Sequence, residues 1–172
     1  ASKATNIQLT VNTRYNTMAA VVSEGNWKTG GTAIIASGDN YPDALAASGL
    51  AGEPMLDHTN GEVRAFFAVR QSASAVGTIT IIVVGGSAAV SDNVLHTLHT
   101  YAQSVNRVSG ATRIDTSFAL YQNASGWGST AIVATNANYA DALSVSSYAY
   151  TTKDPVFLCD SANGLTKDRI KI

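Results

Sequence analysis

Two arginines stand in matching settings, Thr13-Arg14 and Thr112-Arg113, each opening a stretch of helical pattern. A guanidinium presents a planar fork of donors that fits phosphate or carboxylate groups. It can equally close an ion pair inside a fold, here with Asp43 or Asp141. A second cluster is Asp39-Asn40-Tyr41 with Asp43 close behind, echoed by Asn138-Tyr139 and Asp141. It follows an apolar run and precedes a helical pattern. Ligands of open α/β sheets gather at such strand ends, and helix N-terminal N–H groups hold anions there. The local alternative is that Asp39 or Asn40 caps the helix and Asp43 complements its dipole. Gly85-Gly86-Ser87 can cradle a phosphate or sugar through its backbone, or simply turn. It is neither a P-loop nor G-x-G-x-x-G, and the chain has no G-x-S-x-G elbow. His96 and His99 lie three apart on a helical pattern with no third ligand suitably spaced. No metal or cofactor is expected. Trp27 and Trp127 can stack on sugar rings or plug their own repeats; Tyr41 and Tyr139 are the better placed for exposed contact.

These residues are positioned by alternating strand and helix signals. Ile7–Val11 alternates as a half-buried strand does. Tyr15, Met18, Ala19 and Val22 recur at helical spacing behind Thr13, a candidate N-cap. Thr32–Ala36 is continuously apolar and reads as a buried strand. Pro42 suits the first turn of a small-residue helix that Gly52-Glu53-Pro54 stops. Met55-Leu56 is a short strand candidate. Glu62 to Val76 carries Val63, Phe66, Phe67 and Val69 at helical spacing. Thr78–Val84 is the clearest strand. Ser91-Asp92 can cap a helix carrying Val94, Leu95, Leu98 and Tyr101. The pattern predicts an α/β protein with a mainly parallel sheet covered by helices.

The stretch Thr32–Gly49 recurs as Thr130–Ser147. Thr32 and Thr130, Asp43 and Asp141, and Leu45 and Leu143 each stand 98 residues apart. Trp127 answers Trp27, and Pro155 answers Pro54. The chain therefore reads as a tandem repeat: residues 7–105, then an incomplete copy at 106–172 that stops before any counterpart of Thr78–Val84. Apolar residues make up 45% and charged ones 13%, which supplies a core and argues against disorder. A net charge of −1 provides no global field for nucleic acid, so anion recognition must be local. Cys159 is the lone cysteine, expected buried among Val156, Phe157 and Leu158. No run is long enough to span a membrane, and no signal peptide is visible.

Together these motifs resemble the bacterial cell wall binding repeat 2 family. The second copy opens with Arg107-Val108-Ser109-Gly110-Ala111-Thr112-Arg113-Ile114-Asp115-Thr116. The first carries Thr13-Arg14-Tyr15-Asn16-Thr17, Ala36-Ser37-Gly38-Asp39-Asn40-Tyr41-Pro42-Asp43-Ala44-Leu45, and Ile81-Ile82-Val83-Val84-Gly85-Gly86. Gln8 and Val11 depart from the motif's first Arg and Gly, Ile114 replaces its aromatic, and Thr135-Asn136 replaces Ser-Gly. The resemblance implies tandem Toprim-like repeats, usually three packed as a pseudo-trimer. It implies secretion to the cell wall or surface of a Gram-positive-type bacterium, as in S-layer proteins.

The function expected on that basis is non-catalytic anchoring to an anionic wall polymer, teichoic-acid-like or polysaccharide, without membrane insertion. Multivalent weak contacts would hold the polymer. Arg14, Arg107, Arg113, Asp39, Asn40, Tyr41, Asn138 and Tyr139 are the candidate contacts, gathered at the repeat junctions. One rival is an adhesive or array module working through protein–protein contacts, as a pseudo-trimer or homo-oligomer. Another is a wall-modifying enzyme. Metal-dependent Toprim chemistry needs clustered acids, and no Asp-Xaa-Asp occurs in the chain.

Overall fold

In a computed structural model, residues 12–24, 32–51, 64–69, 80–160 and 162–165 are described. The strand expected at Ile7–Val11, Met55-Leu56 and Trp27 lie outside them. Helix α1 spans Arg14–Glu24. Thr13 opens it: its Oγ1 accepts from the Asn16 N–H at 3.1 Å. The buried run forms β1, Thr32–Ser37. The small-residue helix behind it comes in two pieces, α2 (Pro42–Ala46) and α3 (Ser48–Ala51). Ser48 marks the break, donating its hydroxyl to the Leu45 carbonyl at 2.8 Å.

Residues Arg64–Val69 are strand β2, which corrects the helix expected over Glu62–Val76. A short run such as Ala65-Phe66-Phe67-Ala68-Val69 fits either period, and length and tertiary partners arbitrate. Here the partner is β1, parallel, with Thr32 opposite Arg64. Strand β3 (Thr80–Val84) takes the other side of β1, with Thr32 opposite Thr80. Ser91 then accepts from the Val94 N–H and starts α4, Asp92–Leu98. Strand β4 (Ser104–Val108) pairs with β3, Thr80 opposite Ser104. The sheet order is β2-β1-β3-β4, all parallel. Residues that the sequence repeat assigns to the opening of the second copy thus complete the first copy's sheet.

The second unit continues with α5 (Arg113–Gln122), β5 (Ile132–Thr135), α6 (Ala140–Thr152) and β6 (Val156–Cys159). Its two strands pair in parallel, Ile132 opposite Val156. Thr112 caps α5 in a reciprocal capping box with Asp115. Cys159, at the end of β6, is half-buried rather than buried, because the strand's enclosure stops at Leu158.

Alternation along the central strands divides the core. Ala33, Ile35, Ile81 and Val83 face one side and pack with Val90 and Leu98 around α4. Ile34, Ala36 and Val84 face the other, where Ala46, Ala47 and Leu50 meet Leu120, Ala134, Ala142 and Leu158 of the second unit. The two repeats share this second core. Each fully buried Leu or Ile in it contributes about 1.5–3 kcal/mol of transfer free energy. The junction is therefore part of the fold rather than a linker between folds.

Candidate binding site at the repeat junction

The loops that follow β1 and β5 are built alike. Each strand ends on a hydroxyl that accepts from the N–H two residues on: Ser37 from Asp39 at 3.2 Å, and Thr135 from Ala137 at 3.1 Å. An asparagine follows, its Oδ1 accepting a nearby N–H: Asn40 from Tyr41 at 3.1 Å, Asn138 from Ala140 at 3.0 Å. Each tyrosine then stands at the helix N-cap without a side-chain capping bond. With both phenols spared from capping, the packing of α2 against the second unit brings Tyr41 and Tyr139 together. Their rings meet edge to face, centroids 5.5 Å apart and planes at 69°. A shallow crease of about 170 Å³ lies beside them, lined by Pro42, Leu45, Asn136 and Leu158 among others.

Specific partners emerge for Asp39 and Arg113. The Asp39 carboxylate accepts from the Tyr15 hydroxyl at 2.7 Å, tying α1 to the loop. Sequence reasoning missed this pair. Its signal was in the repeat: where Tyr15 becomes Ile114, Asp39 becomes Ala137, so both halves of the bond are exchanged together. Arg113 is half-buried, and its Nη1 donates to the Asn136 carbonyl at 3.3 Å. Its positive charge also acts on Asp43, in the other repeat. Burial pushes the Asp43 carboxyl above its ordinary range, and Arg113 partly offsets that. Asp141, the counterpart of Asp43, is exposed. Of Arg14 only the backbone is described, at the first residue of α1.

Gly85 takes φ +104°, a conformation that side chains rarely adopt, and a Cβ there would meet the Asp43 carboxylate. Its N–H donates to the Val108 carbonyl at 2.9 Å, so this turn is engaged by β4. Arg107 secures it from the same strand. Its guanidinium donates to the Gly85 and Val90 carbonyls at 2.7 and 2.8 Å, and pairs with Asp92 at 3.0 Å. Trp127 donates its Nε1–H to the Tyr121 carbonyl at 3.0 Å and stacks on the Tyr121 ring. It packs against the shared core beside Gly49, so it plugs the junction. His96 and His99 are exposed, and among the described residues no group of three or more His, Cys, Asp or Glu could hold a metal.

Equivalent positions differ sharply in exposure. Leu120 on α5 is 1% exposed beneath the first repeat, whereas its counterpart Val21 on α1 is 46% exposed. Tyr41 and Leu45 are half-buried against the second repeat; Tyr139 and Leu143 are each 55% exposed. Each repeat thus has one face that inserts and one that receives, and among the described residues one of each is exposed.

Fold and site together define a tandem-repeat α/β protein whose two units converge, through the same loop, on one junction. The sequence profile of cell wall binding domain 2 (CWB2) matches residues 9–95 and 107–172. The chain belongs to that family. It is 32% identical over 163 residues to N-acetylmuramoyl-L-alanine amidase LytC of Bacillus subtilis (strain 168), covering 92% of this chain and 32% of LytC. It is also 32% identical over 153 residues to the Amidase enhancer of the same organism, covering 86% of this chain and 21% of that protein. The chain thus spans a third or less of these relatives. Among solved structures, Cwp8 from Clostridium difficile superposes with a TM-score of 0.73 at 25% identity, over 95% of this chain and 28% of Cwp8. Cwp6 from Clostridium difficile shares the fold with a TM-score of 0.72 at 19% identity, over 88% of this chain and 25% of Cwp6. The family points to association with the cell wall or surface. Among the described residues no helix is long and apolar enough to cross a membrane.

Proposed function

We propose that this chain is a non-catalytic anchoring module that binds an anionic wall polymer through its repeat junctions. The observation that carries this reading is the convergence of two copies of the Asn-Tyr-Xaa-Asp-Ala-Leu segment on one shared edge, in a chain of a wall-binding family. Tyr41, Tyr139, Asn40 and Asn138 form the contact edge, with Asp39 beside it. Arg113, and Arg14 by repeat equivalence, supply positive charge. Arg107 shapes the Gly85 turn behind them. The crease beside the tyrosines is a shallow surface depression, unlike the deep pockets that engulf a ligand. That suits an extended polymer lying across several weak platforms, where linkage raises the effective concentration.

The open inserting face at Tyr139 and Leu143, and the open receiving face at Val21, support assembly with a further repeat as a pseudo-trimer. Each further junction would add another copy of the edge.

Cosedimentation with purified walls tests the anchoring. The chain is expected to pellet with polymer-bearing walls and to stay in solution with walls stripped of polymer by hydrofluoric acid. Undiminished pelleting with stripped walls would instead favour protein–protein adhesion. Wall hydrolysis by the isolated chain would overturn the non-catalytic reading.

A further inference from the structure

Among the described residues, the two loops that carry Tyr41 and Tyr139 expose carboxylates, while Arg113 is half-buried. Asp39 and Asp141, each two residues from one of the tyrosines, are exposed, and Asp43 is half-buried. Arg113 is the cation that acts on Asp43, and it already donates to the Asn136 carbonyl. Among the described residues a phosphodiester brought to this edge meets exposed carboxylates in the same loops, and like charges repel.

What the edge offers instead are donors, acceptors and aromatic faces. Asn40 and Asn138 spend Oδ1 on backbone N–H groups, which leaves each NH₂ without a hydrogen bond to another described residue. An amide NH₂ carries two donors, and ionised carboxylates only accept. Tyr139 is 55% exposed and stands edge-on to Tyr41, so the pair presents an apolar ring surface fringed by hydroxyls. Ring faces cover the axial C–H groups of a sugar, while amides and carboxylates satisfy its hydroxyls.

We propose that the Tyr41–Tyr139 edge reads an uncharged pyranose of the wall polymer and not its anionic groups. This rests on the wall-anchoring reading and names what that site recognises. The polymer's charge then bears on long-range approach, and its sugar rings on the contact at this edge.

The test uses the whole 172-residue chain. The probes are the neutral glycan released from wall polymer by hydrofluoric acid, the intact polymer, and unsubstituted poly(glycerol phosphate), each followed by tyrosine and tryptophan fluorescence. The chain is expected to bind the intact polymer and the neutral glycan, and to ignore poly(glycerol phosphate). Tyr139→Ala should weaken glycan binding about tenfold, and Tyr139→Phe should retain it within about twofold, since the ring and not the hydroxyl carries most of the contact. Circular dichroism confirms that these surface variants fold. Binding to intact polymer that is lost with its phosphates, or binding to poly(glycerol phosphate) that Tyr139→Ala leaves unchanged, overturns the sugar reading and keeps wall anchoring. Failure to bind any of the three overturns both.

Discussion

Asp43 sits where two repeats press a carboxylate between a glycine turn and an arginine of the neighbouring unit. Burial raises its folded pKa above the ordinary 3.8, and Arg113 lowers it part of the way back. A carboxyl raised on folding binds its proton more tightly in the native state. Its contribution is therefore favourable below about 3.8 and is lost as pH rises through the raised folded value. Asp43→Asn is expected to be more stable than wild type at pH 7, with the gap narrowing towards pH 4 in urea melts. Arg113→Ala should act the other way. Losing the Asn136 bond and the offsetting charge should cost about 1–2 kcal/mol at pH 7. Arg113→Lys, which keeps the charge without the fork, should recover part of that in the same melts. If either arginine variant loses wall binding with its melting curve unchanged, the residue is a polymer contact rather than a strut.

At the scale of elements, the repeated Thr-Arg-Xaa-Xaa-Thr segment is a helix-starting device. Thr112 accepts from the Asp115 N–H at 3.2 Å, and Thr116 returns its hydroxyl to the Thr112 carbonyl at 3.2 Å. Thr13 and Thr17 repeat the second bond at 3.1 Å. Thr112→Ala should cost about 1 kcal/mol, read from thermal unfolding, and should fray the start of α5 that carries Arg113. Leu120, buried on that helix, should cost about 2–5 kcal/mol when cut to Ala. The starts of α1 and α4 were legible in the sequence because capping is local chemistry. At α2 the N-cap is Tyr41 and not the expected Asp39 or Asn40, whose side chains are engaged by Tyr15 and within the loop. Strand β2 was not legible. Its Phe66-Phe67 pair fits a helical stripe as well as a strand, and only the vacant parallel position beside β1 selects the strand.

At the scale of the whole molecule, the junction depends on close backbone approach. A Cβ on Gly49 of α3 would collide with the Asp154 carbonyl ahead of β6, a group that is itself buried. Backbone cannot swing aside as a flexible side chain can. Gly49→Ala is therefore expected to cost about 1–3 kcal/mol, the range for overpacking. Because the second core belongs to both repeats, the loss should lower one shared transition in calorimetry. Two separate transitions would mean that the repeats fold independently. Asp154 also accepts from the Thr130 N–H at 3.1 Å, so it organises its own repeat while bounding the other.

The sequence by itself determined the repeat, the α/β class, the starts of α1 and α4 and the recurrence of the Asn-Tyr-Xaa-Asp-Ala-Leu segment. Each of these is written in local chemistry or in the register between copies. Only the tertiary structure decided that Tyr41 meets Tyr139, that Arg113 acts on Asp43 of the other unit, and that Asp39 belongs to Tyr15. It also decided that β4, which runs into the second matched segment, pairs with β3 and completes the first sheet. The reason is physical. A helix cap is settled within four residues of chain. The partner of a half-buried charge or an exposed ring is settled by which surfaces the shared core brings into contact.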